Sequence, residues 1–350
     1  MRNLTPSIRI EGRDQPFIKG AYTNTGGLTS ATLQFDLPLT YGGYKKLWNK
    51  EVTFYLDTED GKPLFRGYIK RIKEDFNKIT IFAQDVIGYM VKGGNPEKAT
   101  IVLNDRENID GLTVGNAMRK AIKMANLDSK IGTDYIGDTI PAISSSRPPL
   151  RGTMSVLNII KTLLGRAVDD SGAVPRTNIA RIVDDGSTSQ LVIDLESETS
   201  SSEIKHVYTE DDNITGLQII NRKVPTVIVV TGAEGVAGTF THEGALAAFD
   251  RNYLKVSNKA LKSPAECKDF AQKLFRANLT TQYEYSIKTF EGAHLNENDV
   301  IRVEARDPKF TGNYRVRGKK IAFSPSSFDI GLNINRKPPT LAEFVTQQDN

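Results

Sequence analysis

The sequence predicts a mainly β protein with α+β parts, and three observations support this fold class. Short segments that alternate apolar and polar residues fill most of residues 1–93. Segments of the same kind return in the last third of the chain. Only the segments 113–125, 154–164 and 263–277 place apolar residues at helical spacing. Strands therefore outnumber helices, and the helices cluster in the middle and near the end.

The first part of the chain reads as consecutive strands. They are Ser7–Glu11, Ser30–Leu37, Glu51–Asp57, Leu64–Lys73 and Lys78–Gln84. Asp60-Gly61 separates two of them and is typical of a type I′ turn, which needs positive φ. We therefore expect the strands on either side of this turn to be antiparallel neighbours in a β-domain that spans residues 1–93.

The middle part has a different character. Gly94-Asn-Pro opens a connector, and helices are predicted at Thr113–Ala125 and Met154–Leu164. The prolines of Ile143–Leu150 predict a loop between these helices. Strands return at Ala180–Leu195 around the turn Asp184-Asp185-Gly186, and a polar, serine-rich stretch follows. Residues 94–205 are predicted to form a separate α+β domain.

The last part combines strands with one long helix. Strands are predicted at Ile214–Ile220 and Thr226–Thr231 as a hairpin, and further strands at Tyr283–Thr289, Val300–Ala305, Asn313–Ile321 and Phe328–Asn335. Ser263 can cap the helix 263–277, because Pro264 suits its first position and Glu266 completes a capping box. Its apolar stripe, which includes Phe270 and Leu274, predicts packing against a core.

Composition excludes several classes of function. Hydrophobic residues make up 39% of the 350 residues and charged residues 25%, and the net charge of +4 does not demand a nucleic-acid partner. Apolar runs such as Val227–Val230 are too short to span a bilayer, and Met1 leads into a polar opening, so we expect synthesis in a cytoplasm. The single Cys267 excludes internal disulfides, and three isolated histidines offer little for zinc. No cofactor or metal is expected.

The ends of the first and last parts resemble each other. Lys50–Val52 leads through a turn to Phe65–Ile72 and then to Lys78–Ile81. Asn298–Val300 leads through a turn to Tyr314–Ile321 and then to Phe328–Ile330. Each copy has a strand, a turn, a basic strand that ends in isoleucine, and another strand. The pattern indicates either an internal duplication or two generic antiparallel β-meanders.

The order and spacing of these strands resemble the central hub proteins of phage tail baseplates, the family that includes late control protein D and the N-terminal part of the type VI secretion spike. The resemblance covers essentially the whole chain. It rests on Phe65–Ile69, Ile219–Arg222, Val227–Gly232, the helix Ala265–Ala277, Leu295–Val300 and Gly312–Val316. It implies two tube-like β-barrel or sandwich domains per chain, with a middle α+β domain and a smaller inserted domain.

The resemblance also implies boundaries and partners. The division is 1–93 for the first tube-like domain, 94–205 for the middle domain, 206–235 with 285–337 for the second tube-like domain, 236–284 for the inserted domain and 338–350 for a C-terminal tail. Three chains are expected to form a pseudo-sixfold ring between a hexameric tail tube or distal tail protein and a trimeric central spike, with the tape measure protein as a further partner. DNA is expected only in transit through the channel, the location is the virion, and no stable membrane insertion is expected.

Basic residues on the two similar strands are the candidate contacts with other subunits or partners. They are Lys70, Arg71, Arg315, Arg317 and Lys319. By twofold alternation the last three share one face of a strand, which predicts a positive stripe. The stripe suits an acidic partner ring or DNA in a channel, and the alternative is a solvated strand face. We favour the inter-subunit role, because nonspecific DNA affinity would slow passage through a channel.

No catalytic residues are predicted. Gly232–Gly238 lacks the spacing of a dinucleotide loop, and His242-Glu243 lacks the second histidine of a zinc protease. Glu210–Asp212 lacks the alternating ligands of a calcium loop and reads as a solvated turn. Two other functions stay open. Trp48 with Tyr41, Tyr44 and Tyr55 could form a platform for a glycan or receptor, and the chain could form a hexameric distal tail or tube protein.

Overall fold

The computed structural model describes residues 5–40, 43–56, 61–90, 100–136, 150–166, 178–195, 203–221, 225–248, 251–257, 261–280 and 283–336. These residues form two compact units. The first unit contains the described residues of Met1–Ser197, Lys288–Asp299 and Val316–Leu332. The second contains those of Glu198–Ile287, Val300–Arg315 and Asn333–Asn350.

The elements up to residue 195 all belong to the first unit. The strands are β1 (Pro6–Ile10), β2 (Arg13–Asp14), β3 (Lys19–Asn24), β4 (Thr32–Pro38), β5 (Glu51–Leu56), β6 (Phe65–Glu74), β7 (Lys78–Gln84), β8 (Thr100–Leu103), β9 (Ile131–Gly132), β10 (Gly152–Ser155), β11 (Asn178–Asp184) and β12 (Ser189–Leu195). The helices are α1 (Ile87–Met90), α2 (Val114–Met124) and α3 (Val156–Arg166).

The later elements complete both units. The strands are β13 (Ile204–Thr209), β14 (Ile214–Asn221), β15 (Val227–Thr231), β16 (Ala237–Thr241), β17 (Tyr253–Ser257), β18 (Tyr283–Thr289), β19 (Val300–Glu304), β20 (Gly312–Ser324) and β21 (Ser327–Arg336). The helices are α4 (Glu243–Ala248) and α5 (Pro264–Thr280).

The main sheet of the first unit has the order β21-β20-β3-β4-β7-β6-β5-β1-β2. Successive side chains point to opposite faces of a strand. The centres of β4, β5 and β7 are nevertheless buried on both faces, at Phe35–Leu37, Val52–Phe54 and Ile79–Ile81. Phe54 stacks on Phe323 with 4.2 Å between ring centroids. Gly20 leaves the space for that ring, since a Cβ at Gly20 would lie 2.3 Å from a Phe323 ring atom. This aromatic contact therefore packs β5 against β20 beside Gly20 of β3.

The helices α2 and α3 carry the second core of the first unit. Thr113 caps α2 by accepting a hydrogen bond from the Asn116 amide at 3.3 Å. Met118, Ile122, Ile159 and other apolar residues of the two helices are buried together. Small sheets formed by β8 with β10, and by β9 with β11 and β12, accompany these helices. The predicted apolar faces of both helices are therefore the faces that pack.

The second unit contains a small sheet covered by α5. Its strand order is β16-β15-β17, and Ile228, Val230, Cys267 and Phe275 form its core. The capping box predicted for α5 is present. Ser263 Oγ accepts from the Glu266 amide at 3.2 Å, and Glu266 Oε2 accepts from the Ser263 amide at 3.1 Å. In the same unit β13 pairs with β19 in parallel, and β19 pairs with β20 in antiparallel.

The mainly β fold class is confirmed, and each helix or strand predicted above agrees with an observed element to within three residues at either end. The hairpin predicted between 214–220 and 226–231 is wrong. β14 lies next to β18, whereas β15 lies between β16 and β17. The apolar run Val227–Val230 explains this arrangement, because a strand without alternation is typical of a central position with neighbours on both sides. β14 and β15 therefore belong to different sheets.

Parts of the predicted organisation are not described by the structure. The connector at Gly94, the C-terminal tail 338–350 and all of the predicted loop 143–150 except Leu150 lie outside the described residues. The turn Asp60-Gly61 is described only from Gly61, whose φ of 60° is left-handed, and β5 and β6 are antiparallel neighbours as predicted. The division into two tube-like domains, a middle domain and an inserted domain stays a prediction.

Candidate functional site

Lys70 and Arg71, the candidate contacts on β6, both lie against aromatic rings. Lys70 is half-buried, and its Nζ lies 3.7 Å from the centre of the Tyr89 ring. Arg71 is exposed, and its guanidinium carbon lies 3.8 Å from the centre of the Phe82 ring. Cation–π contacts stabilise each charge without a carboxylate partner. Of these two residues, only Arg71 is exposed.

The three candidate cations of β20 differ in exposure. Arg315, in the second unit, is only 3% exposed, and Lys319, in the first unit, is 7% exposed. Arg317 is half-buried. The alternation along β20 therefore does not produce an exposed positive stripe on the isolated chain. The role of all five cations in contacts with partners stays a prediction.

Lys319 is held inside the first unit by backbone carbonyls. Its Nζ donates hydrogen bonds to the Ala293 oxygen at 2.6 Å and to the Leu295 oxygen at 2.8 Å. Burial lowers the pKa of Lys319 to about 8. Two of its three donors thus have acceptors, and the ammonium anchors the segment before β19 to β20.

A cavity of about 250 Å³ lies beside this anchor in the first unit. Its wall includes Lys319, Arg181, Asp184 and Glu297. Arg181 donates to the Glu297 backbone oxygen at 2.9 Å, and Glu297 Oε1 accepts from the Gly27 amide at 2.6 Å. Burial raises the pKa of Glu297. The Glu297 carboxylate therefore holds the loop that contains Gly27, and its contacts are structural.

Arg66 provides a second polar clamp near the cavity. Its guanidinium donates to Asp184 at 2.7 Å and to Glu51 at 3.0 Å. It also donates to the Gly186 oxygen at 2.8 Å, so it holds the turn between β11 and β12 against β6. Burial raises the pKa of Asp184, and the hydrogen bond from Arg66 opposes that rise. Both carboxylates of the cavity wall are thus occupied by structural contacts.

The surface most suited to a partner is an apolar rim at one end of the main sheet. We define the apolar rim as Ile18, Leu39 and Phe76, which are 45%, 44% and 98% exposed. The strands β3, β4, β7 and β6 are consecutive neighbours, and these residues lie just beyond their ends at one side of the sheet. The three residues share one end of the sheet, and contiguous exposed apolar groups mark interaction sites.

Most of the charged groups at the tip of β6 and β7 form ion pairs within the chain. Lys73 binds Asp75 at 3.0 Å, and Lys78 binds Asp36 at 2.8 Å. The Tyr44 hydroxyl donates to Glu74. Two of these contacts are ion pairs, and the tip around Phe76 therefore offers an apolar contact beside the Glu74 carboxylate, whose partner is a neutral hydroxyl. A matching partner surface is apolar and uncharged at its centre.

Sequence reasoning missed this rim. Phe76 lies in the turn Asp75-Phe76-Asn77 between two predicted strands. Turns favour Gly, Pro, Asn, Asp and Ser. A phenylalanine between Asp and Asn is therefore unusual in a turn, and it could have indicated an exposed contact residue. Ile18 and Leu39 gave no such signal, because only the pairing of β3 with β4 brings them to the same end.

The remaining motifs have structural surroundings. His242 stacks on Phe275 with 4.7 Å between ring centroids, and burial lowers the pKa of His242. Gly232 leads through a short 3₁₀ turn into β16, so no long helix presents its N-terminus at this loop. Glu210 accepts from the Arg306 amide at 2.7 Å. In the described part of the chain, no three His, Cys, Asp or Glu residues group together to hold a metal. The helices of that part include none long and apolar enough to cross a membrane.

Comparison with known proteins finds its matches in structure alone. No family model matches the sequence, and no curated protein matches it. The fold is similar to a tail protein from Neisseria meningitidis MC58, with a TM-score of 0.67, 11% identity, and coverage of 96% of this chain and 97% of that one. It is also similar to the 43 kDa tail protein of prophage MuSo2 from Shewanella oneidensis, with a TM-score of 0.64, 10% identity, and coverage of 95% and 97%.

A third similar structure is a component of the E. coli type VI secretion system that itself resembles T4 bacteriophage tail proteins. Its TM-score is 0.52 at 12% identity, and the match covers 95% of this chain and 77% of that one. The described chain therefore has the fold of phage tail proteins. The resemblance to the baseplate hub family is confirmed at the level of fold.

Proposed function

We propose that this chain is a structural hub of a phage tail baseplate. Three copies form a pseudo-sixfold ring that joins the hexameric tail tube to a trimeric central spike and encloses the channel. The observation that carries the proposal is the match over nearly the full length of two tail proteins. A chain that matches a relative from end to end carries the same set of modules.

The two similar strand sequences support the pseudo-sixfold part of the proposal. β5, β6 and β7 are successive neighbours, and β19, β20 and β21 are too. Two such meanders in each of three chains provide six similar modules, the number a hexameric tube needs. Because a closed ring pairs or covers its strand edges, it also removes the exposed edges that favour aggregation.

The proposal extends to partners and location. The tube or distal tail protein contacts one side of the ring, and the spike and the end of the tape measure protein contact the other. The apolar rim supports a contact of this kind, because Phe76 is almost fully exposed on the isolated chain. The protein acts without chemistry, in the virion, after assembly in the host cytoplasm, and DNA passes through only in transit.

Native mass measurement of the purified chain, together with electron microscopy of the same sample, tests the proposal. A ring with three times the 38.7 kDa chain mass and six visible lobes is expected. A ring of six subunits would replace the hub with a tube or distal tail protein. A chain that stays monomeric both alone and when mixed with its tube protein would overturn the proposal.

A further inference from the structure

Lys70 occupies a β-bulge in the main sheet. Along the ladder between β6 and β7, Ile69 pairs with Ala83, and Arg71 pairs with the next residue, Phe82. Lys70 is therefore the extra residue that has no partner in the ladder. Bulges re-aim side chains and are common beside functional sites. Here the bulge accompanies a lysine whose amine lies over the ring of Tyr89.

The Lys70 amine is buried and makes no hydrogen bond. Its Nζ is covered from solvent and has no hydrogen-bond partner in the described structure. An ammonium carries three donors, and its contact with the Tyr89 ring satisfies none of them as a hydrogen bond. Burial lowers the pKa of Lys70, and the charge of Lys130 lowers it further. The group is thus a buried cation that lacks an acceptor.

Lys130 reaches the same rings from a different element. It lies in the turn between α2 and β9, with its Nζ 4.1 Å from the centre of the Tyr68 ring and 5.0 Å from that of Tyr89. The two ammonium groups lie at most 8.7 Å apart, since they are 3.7 and 5.0 Å from the same point. None of the ion pairs between described residues includes either lysine.

The tyrosines do not supply the missing negative charge. Tyr68 and Tyr89 pack edge to face with 4.9 Å between ring centroids. Burial raises the pKa of Tyr89 to about 12 and also raises the pKa of Tyr68. Both phenols are therefore neutral at physiological pH. The cluster of Tyr68, Lys70, Tyr89 and Lys130 has two positive charges and aromatic walls.

We propose that this cluster binds an oxyanion between the ammonium groups of Lys70 and Lys130. We call these two residues the lysine pair. The ligand is a phosphate or carboxylate group. Its oxygens accept charge-assisted hydrogen bonds of about 2.8 Å from each nitrogen. The half-buried Lys130 rotates outward to admit the ligand, because it lies on a turn, whereas Lys70 is fixed by its strand. This inference does not depend on the proposed hub function.

Calorimetric titration of the full chain at constant ionic strength tests this site. Inorganic phosphate and a triglutamate peptide are the two probes, so that a small anion and a protein-like carboxylate are distinguished. Saturable binding is expected for at least one probe. Lys130→Gln should weaken it at least tenfold, and Lys70→Met should abolish it. Lys123→Gln is the matched control, because Lys123 is exposed on α2, and it should bind like the wild type.

Each outcome decides for or against the lysine pair. Binding of phosphate that depends on Lys130 supports a free small anion as the ligand, and binding of the peptide alone supports an acidic segment of a protein. Absence of saturable binding with both probes would overturn the proposal. Equal weakening by Lys123→Gln and Lys130→Gln would also overturn it, since general surface charge would then explain the binding. Lys130→Gln keeps the test valid if Lys70→Met fails to fold.

Discussion

The hairpin of β6 and β7 and the hairpin of β20 and β21 follow one sequence plan but stabilise their cations differently. On β6, Lys70 and Arg71 lie over aromatic rings. On β20, Lys319 is buried and bound by two backbone carbonyls. Basic residues at matching positions of the two similar meanders therefore have different surroundings. The environment on each strand decides whether a cation packs, anchors or faces solvent.

The tips of the two hairpins differ as well. The β6–β7 turn exposes Phe76 almost completely. The β20–β21 turn contains Pro325 and Ser326, and the hydroxyls of Ser324 and Ser327 lie 2.7 Å apart in a hydrogen bond. One tip is therefore apolar and suited to a partner, and the other is polar and closed on itself. If the chain carries a duplication, the copies differ at their tips.

The largest effect is expected from a charge in the core of either meander. Ile81 and Ile330 occupy corresponding strands and are both buried. Ile81→Asp and Ile330→Asp should each cost at least about 4 kcal/mol of unfolding free energy, since each buries an unpaired carboxylate. Ile81→Val, which should cost about 1 kcal/mol, is the matched control. Urea unfolding measures all three variants. Normal stability of both Asp variants would contradict the burial of Ile81 and Ile330, and a large loss in only one of them would contradict the equivalence of the two meanders.

The next largest effect on the unfolding free energy distinguishes the buried cation Lys319 from the exposed cation Arg71. Lys319→Ala should cost about 3 kcal/mol of unfolding free energy, because two buried carbonyls lose their donor and a cavity opens. Arg71→Ala should cost less than about 1 kcal/mol, because Arg71 is exposed. Lys319→Met keeps most of the side-chain volume and isolates the hydrogen bonds. If urea unfolding gave equal costs for Arg71→Ala and Lys319→Ala, the contrast between the hairpins would be wrong.

The sequence could predict strands and helices because their apolar periodicity is a local property. The capping box at Ser263 and Glu266 and the left-handed Gly61 were readable for the same reason. The pairing of β15 could not be predicted. A continuous apolar run indicates that a strand is buried, but it does not indicate which strands lie next to it. Partner choice depends on residues far away in the chain.

The candidate site was less predictable than the fold. Twofold alternation placed Arg315, Arg317 and Lys319 on one face, but it could not show whether that face meets solvent or protein. Lys70 lies in a bulge, and a bulge follows from the register of two strands, which the sequence of one strand does not define. The apolar rim likewise arises from three separate turns that the sheet brings to one end.

A smaller effect is expected in the pH dependence of the unfolding free energy, and it tests the role of Lys319. Its pKa is lowered from 10.5 to about 8 in the folded chain, so the unfolded chain binds this proton more tightly. The contribution of Lys319 to stability is therefore lowest below pH 8 and rises between pH 8 and 10.5, on the order of 1 kcal/mol per pH unit. Lys319→Met does not titrate there. The stability of the wild type relative to this variant should rise with pH, and a constant difference would contradict a buried ammonium.

The smallest effect on stability is expected at the tip of β6 and β7. Phe76→Ser should change the unfolding free energy by less than about 0.5 kcal/mol, because Phe76 packs against little of its own chain. It should nevertheless weaken assembly at least tenfold, as measured by sedimentation of the chain alone and mixed with its tube protein, since a large exposed aromatic is a frequent anchor of interfaces. This prediction rests on the proposed hub function. Phe290→Ser, which removes another exposed aromatic of the same unit, is the control and should assemble normally. If both variants assembled like the wild type while the ring itself formed, the apolar rim would not be a contact surface, and the polar tip of β20 and β21 would become the better candidate.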